Sequence, residues 1–323
     1  MKLAVIIPAL NEEENIGKVI AGIPREMAGV DETMIFVIDD GSRDGTAQAA
    51  RAAGAQVISH HSNRGVGQSF QTGLQAALEC GADLMVNIDG DGQFLPEEIP
   101  LLIGPILAGE ADFVPADRFS DGHGGLRKPE NMSGVKYWGN QVMSDLIGRL
   151  SGQRFNDVSC GFRAYSREAM LQLNLTGVFT YTQESFLDLS FKRMRIQPAA
   201  VTIRYFPERK SRVAGNLFTY TLRTLNIILR AYRDFQPLRF FIYLGLPPFT
   251  IGTAALLFML WHYWMYRAFS PYKAVGFVGI YLVSLGLILF IFGFLADMFM
   301  RLRQTQEKIL YYEKRRTYGR DEN

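Results

Sequence analysis

Residues 82–93 read ADLMVNIDGDGQ. The apolar run LMV does not alternate with polar residues, and it is too short for a helix. Such a run belongs to a strand covered on both faces. It stops abruptly at Asp89 and Asp91, each followed by glycine. Working outward, the same pattern recurs. LAVIIP at 3–8 runs into NEEEN, MIFVIDD at 34–40 into GSRDGT, and AQVISH at 55–60 into SNRGVG; ADFVPADRF at 111–119 forms a further strand. Between them lie helical stretches at 12–23 with Asn11 as N-cap, 45–55, 67–81 and 96–109. Alternating buried strands and helices predict an α/β fold with a mostly parallel sheet and helices on both faces. Ligands of such sheets bind at the carboxyl ends of the strands, where the polar clusters fall.

Beyond this alternation, residues 120–136 read as a loop, 137–152 and 182–194 as helices, and 199–206 as a strand. Residues 157–173 begin as a turn or strand and end as a helix. The 323-residue chain is long enough for a core of about 200 residues and something more. A net charge of +2 gives no argument for a nucleic-acid partner. Cys80 and Cys160 lie in no CxxC or Cys/His cluster, so neither a disulfide framework nor a zinc site is expected. MKLAVIIPAL is too short for a signal-peptide apolar segment.

The character of the chain changes after residue 215. From Phe218 to Arg233, Phe218, Leu222, Leu225, Ile228, Leu229 and Tyr232 share one side of a helical wheel, with Arg223, Arg230 and Arg233 on the other. A basic amphipathic helix of this kind lies on an anionic membrane surface, and a core-facing helix is the alternative. Phe240–Met265 and Ala274–Ala296 carry no acid, lysine or arginine, and each is long enough to span a bilayer. Their short connector makes a hairpin. The basic residues flanking it put both termini and the first domain on the cytoplasmic side. The expected division is 1–215, an interfacial helix at 216–238, two membrane helices within 239–297, and a tail at 298–323. Gly245, Gly252, Gly276 and Gly279 offer small faces through which hairpins of a homo-oligomer would associate.

Asp89 and Asp91, two apart in an extended segment, are expected to project to the same side, with Gln93 following. Convergent carboxylates need a counter-charge, and hard oxygens suit Mg²⁺ or Mn²⁺ bound together with substrate phosphates. A solvated acidic turn is the other reading. Asp39 and Asp40 end a strand before a glycine turn, where they would bond a base or ribose, or merely cap the turn. Arg64 and the amides around it would contact a phosphate, although SNRGVG lacks the third glycine of a dinucleotide fingerprint.

Six stretches occur in a telling order: PALNEEENI at 8–16, DDGSRDGT at 39–46, NRGVGQS at 63–69, DGDGQ at 89–93, ADRF at 116–119 and DVSCGFRAY at 157–165. Together they resemble the inverting glycosyltransferases of family 2, in particular the branch of dolichol-phosphate mannose synthase and the bacterial polyprenyl-phosphate glycosyltransferases. The likeness covers about residues 1–215, and the hairpin resembles that of membrane-bound members. It implies a Rossmann-like GT-A catalytic domain, a nucleotide-sugar donor and a polyprenyl-phosphate acceptor. By resemblance, Pro8, Ala9, Asn11 and Glu12 form the nucleotide loop, and Asp39 and Asp40 the base and ribose contacts. Asp89, Asp91 and Gln93 form the metal and diphosphate site. Arg118 holds the acceptor phosphate, with Lys136 and one of Arg209 or Arg212 as further ligands. Asp157 matches the family's aspartate before Gly-Phe-Arg; a turn cap is the plainer reading.

The expected reaction moves a hexose from GDP-mannose or a UDP-hexose to dolichyl or undecaprenyl phosphate with inversion. A phosphate monoester is largely ionised at neutral pH, so positive charge matters more than a strong base. The rivals are a non-catalytic nucleotide-sugar-binding membrane subunit, a transferase to another lipid acceptor, and a processive synthase. The last needs a Gln-x-x-Arg-Trp motif, which none of Trp138, Trp261 and Trp264 completes.

Overall fold

The computed structural model describes residues 1–122, 125–130, 132–175, 181–204, 229–230 and 232–319. The chain divides into two compact units, Met1–Ser211 with Tyr311–Asn323, and Arg212–Leu310.

The first unit is built on a seven-stranded sheet. In chain order its strands are β1 (Lys2–Ala9), β2 (Glu32–Asp39), β3 (Gln56–Ser59), β4 (Leu84–Asn87), β5 (Phe113–Asp117), β6 (Arg163–Ser166) and β7 (Ala199–Ala200). Their order across the sheet is β3-β2-β1-β4-β6-β5-β7. β1 pairs in parallel with β2 and β4, and β2 with β3. The helices are α1 (Glu13–Gly22), α2 (Thr46–Ala52), α3 (Val66–Glu79), α4 (Ile99–Leu107), α5 (Gly134–Ser151), α6 (Arg167–Gln172) and α7 (Tyr181–Phe191).

Alternation along β1 explains the two layers. Leu3, Val5 and Ile7 join one core with Ile16, Val19 and Ile20 of α1 and Leu102, Ile103 and Ile106 of α4. On the other face, Gly73 of α3 abuts Ile6 so closely that a Cβ has no room. There Phe70 stacks on Tyr181, and Phe113 on Tyr165. Each such fully buried apolar side chain contributes about 1.5–3 kcal/mol.

Two features differ from the sequence reading. β6 is inserted antiparallel between β4 and β5, pairing Asn87 with Arg163 on one side and Pro115 with Arg163 on the other. β4 also ends at Asn87, with Gly90 and Asp91 in a turn. It is this turn, and not strand alternation, that sets Asp91 relative to Asp89.

In the second unit, α8 (Pro237–Tyr266) and α9 (Lys273–Tyr318) are long and apolar enough to cross a membrane. They approach each other at glycines. A Cβ on Gly252 would lie 2.8 Å from the Gly279 carbonyl oxygen, and one on Gly286 would lie 3.0 Å from that of Gly245. Gly245, Gly252 and Gly279 therefore face the partner helix of the same hairpin. His262 Nε2 lies 3.2 Å from the Ser270 carbonyl oxygen in the connector. α9 continues beyond its apolar half, with Arg301–Asp297 and Arg303–Glu307 pairs one turn apart. Its end, Tyr311–Tyr318, belongs to the first unit, where Lys314 Nζ donates to Leu173 O at 2.9 Å and Asn174 Oδ1 at 2.8 Å.

Candidate active site

The rim of the sheet at the ends of β1, β2, β4 and β5 carries the predicted residues. The first and second loops are sewn together. Asn11, at φ 53°, donates its amide to Ser42 Oγ and accepts from Arg43 N, each at 2.9 Å. Glu12, nearly buried, donates its amide to Thr46 Oγ1 at 2.8 Å. Pro8 O accepts from Gly90 N at 3.4 Å, and a Cβ on Gly90 would press on Pro8 O and Ile16 Cδ1. The glycine after Asp89 thus lets the DGDG turn sit against the first strand, whose last residue is Ala9.

Asp39 and Asp40 are both buried. Asp39 Oδ1 accepts from Ser42 N at 3.0 Å. Asp40 accepts from Arg64 N at 2.9 Å and Gly65 N at 2.8 Å, and lies 2.8 Å from His60 Nδ1. The Asp40 carboxylate therefore organises the loop leading into α3, while the Arg64 side chain is exposed.

Asp91 Oδ1 accepts from Gln93 N at 3.0 Å, and Gln93 O accepts from Arg204 N at 2.9 Å. Burial, and then the neighbouring Asp91 charge, push the Asp89 carboxyl up to about 7, while Arg118 and Arg163 oppose the rise. The pair calls for positive charge. Among the described residues no three His, Cys, Asp or Glu side chains cluster as a self-sufficient metal cage. Two hard carboxylates fit a Mg²⁺ or Mn²⁺ that draws its remaining ligands from water or phosphate.

Directly behind Asp89 lies the 157–161 loop: a Cβ on Gly161 would sit 2.7 Å from Asp89 Oδ2. The same loop carries Asp157, which Arg118 holds from two sides, Nε to Oδ2 at 2.5 Å and Nη2 to Oδ1 at 2.9 Å. Arg118 Nη2 also donates to Ser159 Oγ at 2.7 Å. Burial would raise the Asp157 carboxyl, but the Arg118 guanidinium and the Ser159 amide outweigh it and hold it below the usual range. The structure thus brings Asp89, Asp91, Arg118 and Asp157 to one stretch of rim.

Three groups escaped the sequence reading. Arg163 is fully buried and donates Nε to Cys160 O at 2.6 Å, Nη2 to Val158 O at 3.2 Å and Nη1 to Thr182 O at 2.8 Å. Its guanidinium lies 4.9 Å from the Phe186 ring centre. Asn140, Gln141 and Ser144 of α5 all donate to Asn156 O, the residue before Asp157. Asn156 in turn donates to Asp117 Oδ2 at 2.8 Å. The available signal was an arginine inside the apolar run FRAY. Lys136 lies in the first turn of α5, its amide donating to the N-cap Ser133 Oγ at 3.4 Å. Arg209, Arg212 and residues 218–228 of the expected interfacial helix lie outside the described residues.

Comparison with known proteins adds to this geometry. A family model described as Glycosyl transferase family 2 matches residues 4–173. The chain is 28% identical over 310 residues to glycosyltransferase AglJ of Haloferax volcanii, spanning 95% of this chain and 96% of that protein. It is 30% identical over 187 residues to the UDP-N-acetylglucosamine–dolichyl-phosphate N-acetylglucosaminyltransferase of Methanococcus voltae, covering 53% and 71%. Among solved structures, glucosyl-3-phosphoglycerate synthase of Mycobacterium tuberculosis with Mn²⁺, UDP-glucose and phosphoglyceric acid superposes with a TM-score of 0.53. That match has 25% identity over 72% of this chain and 78% of that one.

Proposed function

This chain belongs to glycosyl transferase family 2, and from that premise we propose that it moves a hexose from a nucleotide sugar to the phosphate of a membrane polyprenyl phosphate. GDP-mannose and UDP-hexoses are the candidate donors, and dolichyl or undecaprenyl phosphate the acceptor. The observation that carries the reading is the back-to-back placement of two anion-handling groups. Asp89, with the Asp91 charge beside it, lies against Gly161, and Arg118 grips Asp157 four residues earlier in the same loop. A UDP-sugar and a dolichyl phosphate in the name of the Methanococcus relative, and Mn²⁺ with UDP-glucose in the Mycobacterium structure, support the donor and acceptor classes.

The chemistry follows from charge. An oxygen of the acceptor phosphate attacks the anomeric carbon as the bond from that carbon to the diphosphate oxygen breaks. The nucleoside diphosphate leaves and the configuration inverts. Asp89 and Asp91, with Gln93 beside them, would hold a divalent ion, which would supply positive charge for the donor diphosphate. The nucleophile arrives already ionised and needs no strong base. Asp157, held below the usual carboxylate range, is a poor proton acceptor. Its role is to hold Arg118 in position, so that the guanidinium charge faces the acceptor phosphate. Lys136, Arg209 and Arg212 are the further cations assigned to the acceptor. Pro8, Ala9, Asn11, Glu12, Asp39, Asp40 and Arg64 form the donor side.

The proposed organisation is a transferase domain at 1–215, an interfacial helix at 216–238, a membrane hairpin within 239–297 and a tail at 298–323. Both termini face the cytoplasm. The test is direct: purified protein in proteoliposomes with Mg²⁺ or Mn²⁺ should transfer radiolabel from one member of a nucleotide-sugar panel to undecaprenyl or dolichyl phosphate. Failure with every common donor would falsify the reading. Tight donor binding without any transfer would favour the non-catalytic subunit instead.

A further inference from the structure

The exposed face of α5 changes character halfway along. Val135 and Trp138 are 48% and 67% exposed, with half-buried Val142 next on the same face. One turn later come Asp145 and Arg149, which pair at 2.8 Å. The preceding loop adds Leu126, 55% exposed. That loop is joined to the helix start: Ser120 bridges to Leu126, Arg127 N donates to Phe119 O at 2.7 Å, and the Phe119 ring meets Tyr137 edge-on. The same stretch, 119–138, carries Arg127, Lys128 and Lys136 against two acids, Glu130 and Asp121, the latter accepting from Gly125 N at 2.8 Å. The loop that carries Leu126 follows Arg118 at the rim, after the fully buried Phe119.

An exposed tryptophan among valine and leucine, rimmed by lysine and arginine, has the chemistry of a membrane–water interface. The indole body is apolar, its N–H seeks water, and the cations meet anionic headgroups. A soluble helix face would continue the ion-paired pattern seen at Asp145 and Arg149. We propose that the patch of Leu126, Val135 and Trp138 rests in the headgroup layer of an anionic bilayer, with Trp138 inserted and Arg127 and Lys128 on the lipid phosphates. This orients the rim so that Arg118 opens toward the surface from which a lipid phosphate arrives. It rests on the chain being membrane-bound, not on which sugar it transfers.

The chain contains three tryptophans, so the full-length Trp261→Phe/Trp264→Phe variant reports on Trp138 alone. In phosphatidylethanolamine/phosphatidylglycerol proteoliposomes, shallow-brominated phospholipid should quench its emission about twofold, and aqueous iodide should hardly reach it. Charge reversal by Arg127→Glu/Lys128→Glu should weaken the bromine quenching. Free access to iodide with no response to brominated lipid overturns the proposal. Shielding that appears only on adding undecaprenyl phosphate assigns the patch to the acceptor's isoprenoid chain and also overturns it. So does shielding that grows with protein-to-lipid ratio, which marks a second copy of the chain. If the double variant does not fold, the difference between wild type and Trp138→Phe gives the same reading. The measurement needs no turnover, so its failure leaves the transferase reading standing.

Discussion

Arg118 and Asp157 form a buried fork-to-fork pair, Nε–Oδ2 at 2.5 Å and Nη2–Oδ1 at 2.9 Å. The Asp157 side chain is fully enclosed and that of Arg118 is 11% exposed, so removing either leaves the other's charge poorly solvated. Asp157→Asn should therefore cost about 3–5 kcal/mol of stability, and at least about tenfold in transfer rate because Arg118 loses its aim. Pairing it with Arg118→Met should restore part of the melting temperature but none of the activity. Thermal unfolding and initial rates on the four members of this cycle separate the two effects. Equal activity in Asp157→Asn and wild type would remove Asp157 from the site.

The pH dependence has a definite sign. Asp89 titrates in the fold at about 7, above its ordinary 3.8. A folded value above the unfolded one gives stability that is full below the unfolded value and lost as pH rises toward the folded value. Chelator-treated protein should thus melt at lower temperature as pH climbs from about 5 to about 8. Asp157 is shifted the other way, so its contribution is full across that window and declines only in more acid solution. A bound cation must displace the Asp89 proton. Mn²⁺ affinity in the presence of UDP, measured by calorimetry, should rise about tenfold per pH unit up to about 7 and then level off. A flat profile would separate Asp89 from the metal.

Arg163 ties Val158 O and Cys160 O to the start of α7 through Thr182 O. Arg163→Met leaves these carbonyls unmatched, at about 1–3 kcal/mol each where no water enters. Arg163→Lys keeps the charge but not the planar fork. We expect Arg163→Met to be poorly folded. Arg163→Lys should be folded yet slowed about tenfold, with donor KM changed less than kcat. Rates and melting curves on both variants check this; a fully active Arg163→Lys would show that charge alone suffices.

The strands β1, β2 and β4 were legible because apolar runs such as LAVIIP admit one solution, burial on both faces. The hairpin was legible because stretches without a single charge have few alternatives. β6 was not. Its four residues, RAYS, contain an arginine, and periodicity cannot reveal that carbonyls and the Phe186 ring will absorb that charge. The pairing of Asp89 with Asp91 was foreseen for the wrong geometric reason, since a turn replaces the extended segment. Asp40 shows the converse limit: its residue type signals hydrogen bonding, but only the fold reveals that Arg64 N, Gly65 N and His60 take those bonds.

The glycines of the hairpin separate packing from propensity. A Cβ on Gly252 would meet Val283 N at 2.7 Å and Gly279 O at 2.8 Å, both backbone atoms that cannot rotate away. Gly252→Leu should force α8 and α9 apart and lower the melting temperature in detergent by several degrees. Gly17 in α1 has nothing within 4 Å of its Cβ position. Gly17→Ala should stabilise the protein by about 0.5–1 kcal/mol. Opposite signs in the two melting curves are the expected outcome.

Gly161 offers the sharpest probe of the site because the obstruction falls on a single functional side chain. Its Cβ position lies 2.7 Å from Asp89 Oδ2 and 2.8 Å from Oδ1. Its φ is not in the left-handed region, so alanine adds no backbone strain there. The new methyl must therefore push the Asp89 carboxylate, the 157–161 loop, or both. A displacement of about 1 Å at the carboxylate proposed to handle the diphosphate is worth about a hundredfold in rate. Gly161→Ala should thus keep a melting temperature close to wild type while losing that activity, and Mn²⁺ binding with UDP should weaken in parallel. Gly161→Ser should behave alike, since the clash is with the first side-chain atom. A Gly161→Ala protein with full activity and unchanged Mn²⁺ affinity would mean that Asp89 moves freely, and that its contact with the loop plays no part in catalysis.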